Sequence, residues 1–176
     1  MTTWIGLLRA VNLGGTRTFS PRDIVACVSA LGGTDVATHI NTGNVRFSTT
    51  KRSRPRITKM LEEGFRADRD FEVPVALLTL QELRAIAADI AELGAGHDGN
   101  HYVSILRDDP TPEAVAALEA AGRDGERAIV RGRAVHLLLG ENYQRARLTN
   151  TAVERHAGVA TNRNARVMTA MAAKWG

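Results

Sequence analysis

The chain has 176 residues, of which 44% are hydrophobic and 24% charged, with a formal net charge of +4; this is typical of a globular protein with one domain or two small ones. No stretch approaches the roughly 20 apolar residues of a membrane span, and no basic leader precedes the apolar N-terminal run, so we expect no membrane partner and no signal peptide. The only cysteine, Cys27, excludes an internal disulfide and a thiolate metal cluster, and we expect a cytoplasmic protein.

Apolar periodicity predicts alternating strands and helices in the first half of the chain. Four apolar runs have the length of strands: residues 4–11, 36–40, 45–48 and 73–78. One helix begins at Ser20, a typical N-cap residue followed by proline, and ends at Gly32, while a second helix spans residues 56–66. The resulting β-α-β-β-α-β order indicates a ferredoxin-like arrangement, with both helices on one face of a four-stranded antiparallel sheet.

The second half of the chain is also predicted to contain helices and strands, in a different order. A capping box that begins at Thr79 opens a helix ending at Gly94, and further helices are predicted to begin at Thr111, Thr151 and Thr161. Three segments read as strands: residues 102–106, 127–131 and 134–139. We therefore predict an α+β protein of two packed ferredoxin-like (split βαβ) halves, residues 1–78 and 79–176, with antiparallel sheets and a C-terminal helix, in one compact unit.

Four short polar clusters interrupt the apolar pattern: residues 9–15, 41–44, 147–150 and 161–164. Their Asn, Thr, Arg and Gly residues offer amide donors, fixed cations and bare backbone amides, which suit an anionic ligand. No cluster contains an obvious nucleophile, metal set or acid–base pair. A structural explanation stays open beside the functional one, because Asn and Gly also favour tight turns and the clusters could tie the halves together through buried hydrogen bonds.

Histidines and basic residues give further candidate sites. His97 and His101 have the spacing of a helical metal pair, but the glycines around them argue against a helix there, and the other three histidines look isolated: His39, His136 and His156. Arg163 and Arg166 would lie in the first turns of the last helix, where cations oppose the helix dipole and call for a neighbouring carboxylate or an anionic ligand.

Nucleic-acid binding is a second possibility raised by the charge pattern. Residues 36–61 contain no acid, and the net charges of residues 1–67, 68–126 and 127–176 are +6, −9 and +7. A basic loop around Arg52, Arg54 and Arg56 could bind a phosphate backbone, or could simply be solvated. An RNA-recognition domain is disfavoured, because Asn44 stands where a base-stacking aromatic is required.

The four polar clusters, together with their neighbours, carry a resemblance to a known family. The matching segments are LLRAVNLGG at 7–15, THINTGNVRF at 38–47, LTN at 148–150 and ATNRN at 160–164. They resemble the DUF1697 family, a family of unknown function, over nearly the whole chain and in the same order, with departures at Ala10, Thr42, Arg147 and Ala165. The resemblance implies two ferredoxin-like halves and a bacterial, cytosolic protein with no established activity.

The residue-by-residue match makes twelve positions candidates for ligand binding: Arg9, Asn12, Gly14, Gly15, Thr42, Gly43, Asn44, Arg147, Asn150, Thr161, Arg163 and Asn164. From these we expect a binding protein for a phosphorylated or carboxylated small molecule, such as a nucleotide, in a cleft between the two halves. Non-specific nucleic-acid binding and an enzyme that relies on Arg/Asn electrostatic stabilisation are the alternatives. Cofactors, ligand identity and oligomeric state are not predicted, and no metal is expected.

Overall fold

The structure is a computed structural model that describes residues 1–12, 15 and 17–176, and of Tyr143 only the backbone. The described residues form eight strands and six α-helices. The chain divides into two compact units, one made of Met1–Glu82 with Trp175 and the other of Leu83–Lys174 with Gly176. Among the described residues, no helix combines the length and apolarity that crossing a membrane requires.

The first unit has the predicted β-α-β-β-α-β order. Its elements are β1 (Thr2–Leu8), α1 (Pro21–Ala30), β2 (Thr34–Thr38), β3 (Asn44–Thr49), α2 (Arg54–Arg69) and β4 (Val75–Thr79). The strands are antiparallel in the order β2-β3-β1-β4. Ser20 begins α1 as expected, because its side chain accepts a hydrogen bond from the Asp23 N–H at 3.1 Å and so satisfies a donor that the first helical turn leaves open.

Helices α1 and α2 cover one face of this sheet with apolar side chains. Ile24 and Val28 of α1 and Phe65 of α2 belong to the same buried cluster as Trp4 and Phe47 of the sheet. Alternate residues along a strand face opposite sides, so this cluster takes every second residue of β1, β3 and β4. Burial of these side chains removes apolar surface from water and is the main stabilising contribution to the unit.

The second unit has the same strand topology between two additional helices. Its elements are α3 (Leu80–Leu93), β5 (Asn100–Leu106), α4 (Pro112–Ala120), β6 (Arg127–Arg131), β7 (Ala134–Leu139), α5 (Asn150–Ala157), β8 (Ala160–Asn164) and α6 (Ala165–Trp175), with a short 3-10 helix at Tyr143–Arg145. The antiparallel order is β6-β7-β5-β8, which repeats that of the first unit. Leu118 of α4 and Val153 of α5 pack on one face of this sheet.

The prediction was wrong for the segment before the last helix. Thr161 does not cap a helix; it lies in β8, and α6 begins after Asn164, whose side chain accepts from the Arg166 N–H at 2.9 Å. The polar sequence of β8 hid the strand, because its pairing with β5 is a contact with a distant segment. Likewise α5 begins at Asn150, with Thr149 rather than Thr151 as its N-cap, and β1 ends at Leu8 because Ala10 has a positive φ of 56°.

Candidate functional site

Asn12 joins the first two polar clusters within the first unit. Its side-chain amide donates to the Phe19 carbonyl at 2.8 Å and accepts from the Phe19 N–H at 2.8 Å. The same amide nitrogen also donates to the Asn41 Oδ1 atom at 2.9 Å. Asn12 has a φ of 56°, a conformation that Asn tolerates better than most residues. Its amide is therefore used to close the loop between β1 and α1.

Asn44, Thr42 and Gly43 shape the turn between β2 and β3. Asn44 is fully buried, and its amide donates to the His39 carbonyl at 3.1 Å and to Thr42 Oγ1 at 2.9 Å. Gly43 has a φ of 72°, and a Cβ there would lie 2.7 Å from Val11 Cγ2, so the turn requires glycine. Turn geometry accounts for these three residue types.

The structure gives less information on the other residues of the first unit that were predicted to bind a ligand. Arg9 is half-buried, and its backbone N–H donates to the Pro74 carbonyl at 2.9 Å. Gly15 has a φ of 76° in the loop before α1, with open space around its Cα. Gly14 lies outside the described residues. A ligand-binding role for these positions stays a prediction.

Asn150 joins the third and fourth polar clusters within the second unit. Its Oδ1 accepts from Ser104 Oγ at 3.0 Å, and its Nδ2 donates to the Ala160 carbonyl at 3.0 Å. Ser104 Oγ in turn accepts from Asn162 Nδ2 at 2.9 Å. This network ties α5 to β5 and β8, and Ser104 at its centre is fully buried.

Thr161 and Arg163 lie on β8 and are both buried. Arg163 donates to Thr161 Oγ1 at 2.9 Å and to the Asn162 carbonyl at 2.8 Å. Burial lowers the pKa of the Arg163 guanidinium to about 10, because a desolvated cation is disfavoured. Arg147 differs from them, since it is exposed and its backbone N–H donates to Glu126 Oε1 at 3.0 Å.

A cavity of about 220 Å³ lies at the junction of β5, β8 and α6 within the second unit. Its lining residues are Gly99, Asn100, His101, Asn164, Ala165 and Arg166. Asn100 is held in place because its amide donates to the carbonyls of Gly140 at 3.0 Å and Glu141 at 2.8 Å. Gly99 is required here, because a Cβ would stand 1.9 Å from the Leu139 carbonyl oxygen. Of the eleven predicted site residues that the structure describes, only Asn164 lines this cavity.

The cavity is open to the N-terminus of a helix that carries a cation and no acid. The first turn of α6 contains no acidic residue, and Arg166 in that turn is exposed, with no carboxylate partner among the described residues. The N-terminus of a helix bears a partial positive charge. Both charges therefore have the same sign, and together they produce a positive potential beside the cavity.

In the first unit, a carboxylate of the protein itself lies at the corresponding helix N-terminus. There β4 runs directly into α3, just as β8 runs into α6. Glu82 in the first turn of α3 accepts from the Thr79 N–H at 2.7 Å and from Arg54 at 2.6 Å. This confirms the predicted capping box at Thr79, and it shows a carboxylate bound by a helix N-terminus and an arginine together.

His136 is not isolated, contrary to the expectation from the sequence. His136 Nδ1 lies 3.1 Å from Nε2 of His101, and His136 Nε2 lies 3.8 Å from Oδ2 of Asp89 on α3. Asp89 is also paired with Arg131 of β6, which binds Glu92 at 2.7 Å. The sequence signal was the strand alternation of β5 and β7, which puts His101 and His136 on one face, but only the β5–β7 register makes them neighbours.

The basic segment of residues 51–56 runs from the loop after β3 into the first turn of α2, where Arg54 and Arg56 lie, and it is only partly available to a ligand. Arg54 is bound by Glu82 and stacks over the Trp4 ring at 5.5 Å. Lys51, Arg52 and Arg56 are exposed. Nucleic-acid binding through this segment stays a prediction, as does enzymatic activity, and the described residues include no group of three or more potential metal-ligating side chains.

The family comparison agrees with the resemblance carried by the first two polar clusters, which lie within the residues that the family model matches. A family model described as "Protein of unknown function (DUF1697)" matches residues 1–136. Among solved structures, the conserved bacterial protein SP0830 from Streptococcus pneumoniae is similar, with a TM-score of 0.78 at 19% sequence identity, over 99% of this chain and 98% of that chain. That likeness shows the fold. No curated protein matches this chain.

Proposed function

Since the chain belongs to the DUF1697 family of proteins of unknown function, we propose from its own residues that it binds a small phosphorylated or carboxylated ligand. The anionic group of this ligand occupies the cavity at the N-terminus of α6. The observation that carries the proposal is Arg166, an exposed cation without a described carboxylate partner, on the wall of a cavity at a helix N-terminus.

The electrostatics of the junction favour an anion. A cation in the first turn of a helix opposes the helix dipole by roughly 0.3–1 kcal/mol. A bound oxyanion removes this cost, because it is attracted by the guanidinium and by the helix N-terminus at once. Glu82 at the start of α3 makes the same two kinds of contact through its own carboxylate, so a carboxylate or phosphate oxygen suits the α6 junction on the same grounds.

The size of the cavity supports a small anionic group. A volume of about 220 Å³ is below the range of roughly 300–1,000 Å³ for sites that enclose a whole drug-sized ligand. It corresponds to several water molecules at about 30 Å³ each. We therefore assign the cavity to the sulfate-sized head of a ligand, with Asn100 and Asn164 beside it as polar neighbours.

Isothermal titration calorimetry with inorganic phosphate and sulfate tests the proposal, together with the backbone amide shifts of Ala165 and Arg166 in NMR spectra. We expect saturable binding that shifts these two amides. Arg166→Ala should weaken it by about ten- to a hundredfold, because loss of one charge-assisted contact costs on the order of 1.5–3 kcal/mol. Arg155→Ala is the matched control, since Arg155 is also exposed in the second unit, on α5, and should bind like the wild type.

Two results would contradict the proposal. One is the absence of saturable binding of phosphate, sulfate or acetate to the wild-type protein. The other is binding that Arg166→Ala leaves unchanged or that shifts residues remote from α6. RNA binding by the wild type that Arg52→Ala and Arg56→Ala abolish would instead support nucleic-acid binding through the basic segment of residues 51–56.

A further inference from the structure

Two histidine side chains connect the cavity to a half-buried carboxylate, Asp89, in the second unit. His101 lines the cavity and approaches the fully buried His136 with 3.1 Å between Nε2 and Nδ1. His136 in turn directs its Nε2 toward Asp89 Oδ2 at 3.8 Å. The order from the cavity inward is therefore His101, His136 and Asp89.

We infer the proton positions from the charges near each ring nitrogen, because His136 Nε2 has no hydrogen-bond partner among the described residues and faces the Asp89 carboxylate at 3.8 Å. The Asp89 carboxylate favours a proton on His136 Nε2, which leaves Nδ1 of that ring as an acceptor. His101 Nε2 then carries the proton that it donates to His136. The remaining nitrogen, His101 Nδ1, holds a lone pair and lies 3.6 Å from where a Cβ on Gly94 would stand, at the C-terminal end of α3. A helix C-terminus favours a positive charge, so Nδ1 is the atom suited to receive a proton.

Several groups oppose protonation of this pair in the free protein. Burial lowers the pKa of His101 to about 4, with His136 and His97 adding to the shift. Burial likewise lowers the pKa of His136 to about 4, against the opposing effect of Asp89 and together with Arg131. Glu92 on α3 is bound to Arg131, Arg163 shares the sheet face on β8, and Arg166 lies across the cavity. The free pair is therefore neutral at pH 7.

We propose that the binding of a dianionic group in the cavity is coupled to the uptake of one proton by the His101–His136 pair. The inference rests on the proposed function and specifies its ligand class: a phosphate monoester or a sulfate, rather than a monocarboxylate. Arg166, the helix N-terminus and one imidazolium together supply about two and a half positive charges, taking the helix end as roughly half a charge. This is enough to neutralise a dianion, and the Asp89 carboxylate stabilises the shared proton from the other side.

Sulfate is the probe, because it stays a dianion from pH 5 to 8 and any pH dependence of its binding comes from the protein. Calorimetry at pH 7.5 and pH 5.0, in buffers of different ionisation enthalpy, measures both the affinity and the number of protons taken up. An anion at contact distance raises the pKa of a cation by about 1–3 units. We therefore expect about tenfold tighter binding at pH 5.0 and close to one proton taken up there per sulfate.

His101→Asn should bind sulfate with the same affinity at both pH values, whereas the control His156→Asn should keep the pH dependence, because His156 is exposed on α5. NMR titration of the wild-type imidazoles gives a second readout that needs no variant: sulfate should raise the pKa of His101. Binding with equal affinity at both pH values and no proton uptake overturns the coupling and leaves the proposed function standing. Absence of binding at both pH values overturns both.

Discussion

At Asn12 and Asn44 a side-chain amide contacts backbone groups that lie outside helices and sheets, whereas Asn150 contacts the Ala160 carbonyl at the first residue of β8. The Asn12 side chain hydrogen-bonds to both the N–H and the carbonyl of Phe19, and the Asn44 side chain donates to the His39 carbonyl. A buried backbone group without a partner costs roughly 1–3 kcal/mol, so these amides are needed to hold the turns. The same chemistry that suits an anionic ligand also suits an irregular backbone, which is why the residue types alone left both explanations open.

Gly43→Ala should destabilise the protein more than Gly132→Ala. Both glycines have a positive φ, 72° at Gly43 and 58° at Gly132, so both substitutions incur a backbone strain of roughly 1–2 kcal/mol. At Gly43 the new Cβ would also lie 2.7 Å from Val11 Cγ2 and 2.8 Å from Leu8 Cβ, whereas nothing lies within 4 Å at Gly132. Crowding of that kind costs a further ~1–3 kcal/mol.

Urea denaturation of the two variants checks this difference. The free energy of unfolding of Gly43→Ala should be at least about 1 kcal/mol below that of Gly132→Ala. Equal values would mean that the turn between β2 and β3 relaxes without cost. The close contacts around Gly43 would then not be the reason why the turn requires glycine there.

Elements fixed by local signals could be predicted from the sequence, whereas those fixed by distant pairing could not. The β6–β7 hairpin has its predicted bounds because Gly132 provides the turn, and α3 begins at its capping box. By contrast, β8 carries Thr161, Asn162 and Arg163, which have little apolar pattern, and only its register with β5 makes it a strand. The sequence singled out Arg166 and Asn164 separately, but it did not predict that His101 lies beside them, because these residues come together only through that sheet.

Asn164 has a structural role at the start of α6 that a stability measurement can separate from ligand binding. Its Oδ1 caps the helix by accepting from the Arg166 N–H at 2.9 Å. Asn164→Ala should therefore lower the free energy of unfolding by about 1 kcal/mol, within a range of roughly 0.5–2, while Asn164→Asp retains the cap. Thermal or urea unfolding without added anion measures this effect.

The aspartate variant also serves as a control for the site. It keeps the helix start but places a negative charge on the cavity wall, so it should bind sulfate less tightly than the wild type while remaining stable. If Asn164→Ala were as stable as the wild type, the cap would contribute nothing. If Asn164→Asp bound sulfate unchanged, the anion would not lie at this junction.

The whole chain uses one sheet topology twice, but it distributes ionisable groups unequally between the two units. In the first unit the acid at the strand–helix junction belongs to the protein, as Glu82. In the second unit the corresponding junction faces a cavity, with the half-buried His101 on its wall and the buried His136 behind it. The two units therefore share a sheet topology but differ in the ionisable groups they carry, and the function of each depends on its own residues.

The pair formed by the half-buried His101 and the buried His136 predicts how the stability of the molecule depends on pH. The pKa of His101 and of His136 is lowered in the folded state to about 4 from 6.5, so between these values the unfolded chain binds more protons than the folded one. Stability must then be complete above pH 6.5 and fall as the pH decreases toward 4. Most carboxylates titrate below about pH 5, so a loss of stability between pH 7 and pH 5 reports mainly on histidines.

Thermal unfolding between pH 7 and pH 5 tests this in the wild type, in His136→Gln and in His156→Asn. The wild type should lose melting temperature steadily across the range. His136→Gln should give a shallower slope whatever its stability at pH 7, because glutamine can still contact His101 but does not titrate. His156→Asn should keep more of the wild-type slope, since that histidine is exposed on α5. A slope in His136→Gln as steep as that of the wild type would mean that the pair is already protonated in the fold, and Asp89 would then outweigh the burial of both rings.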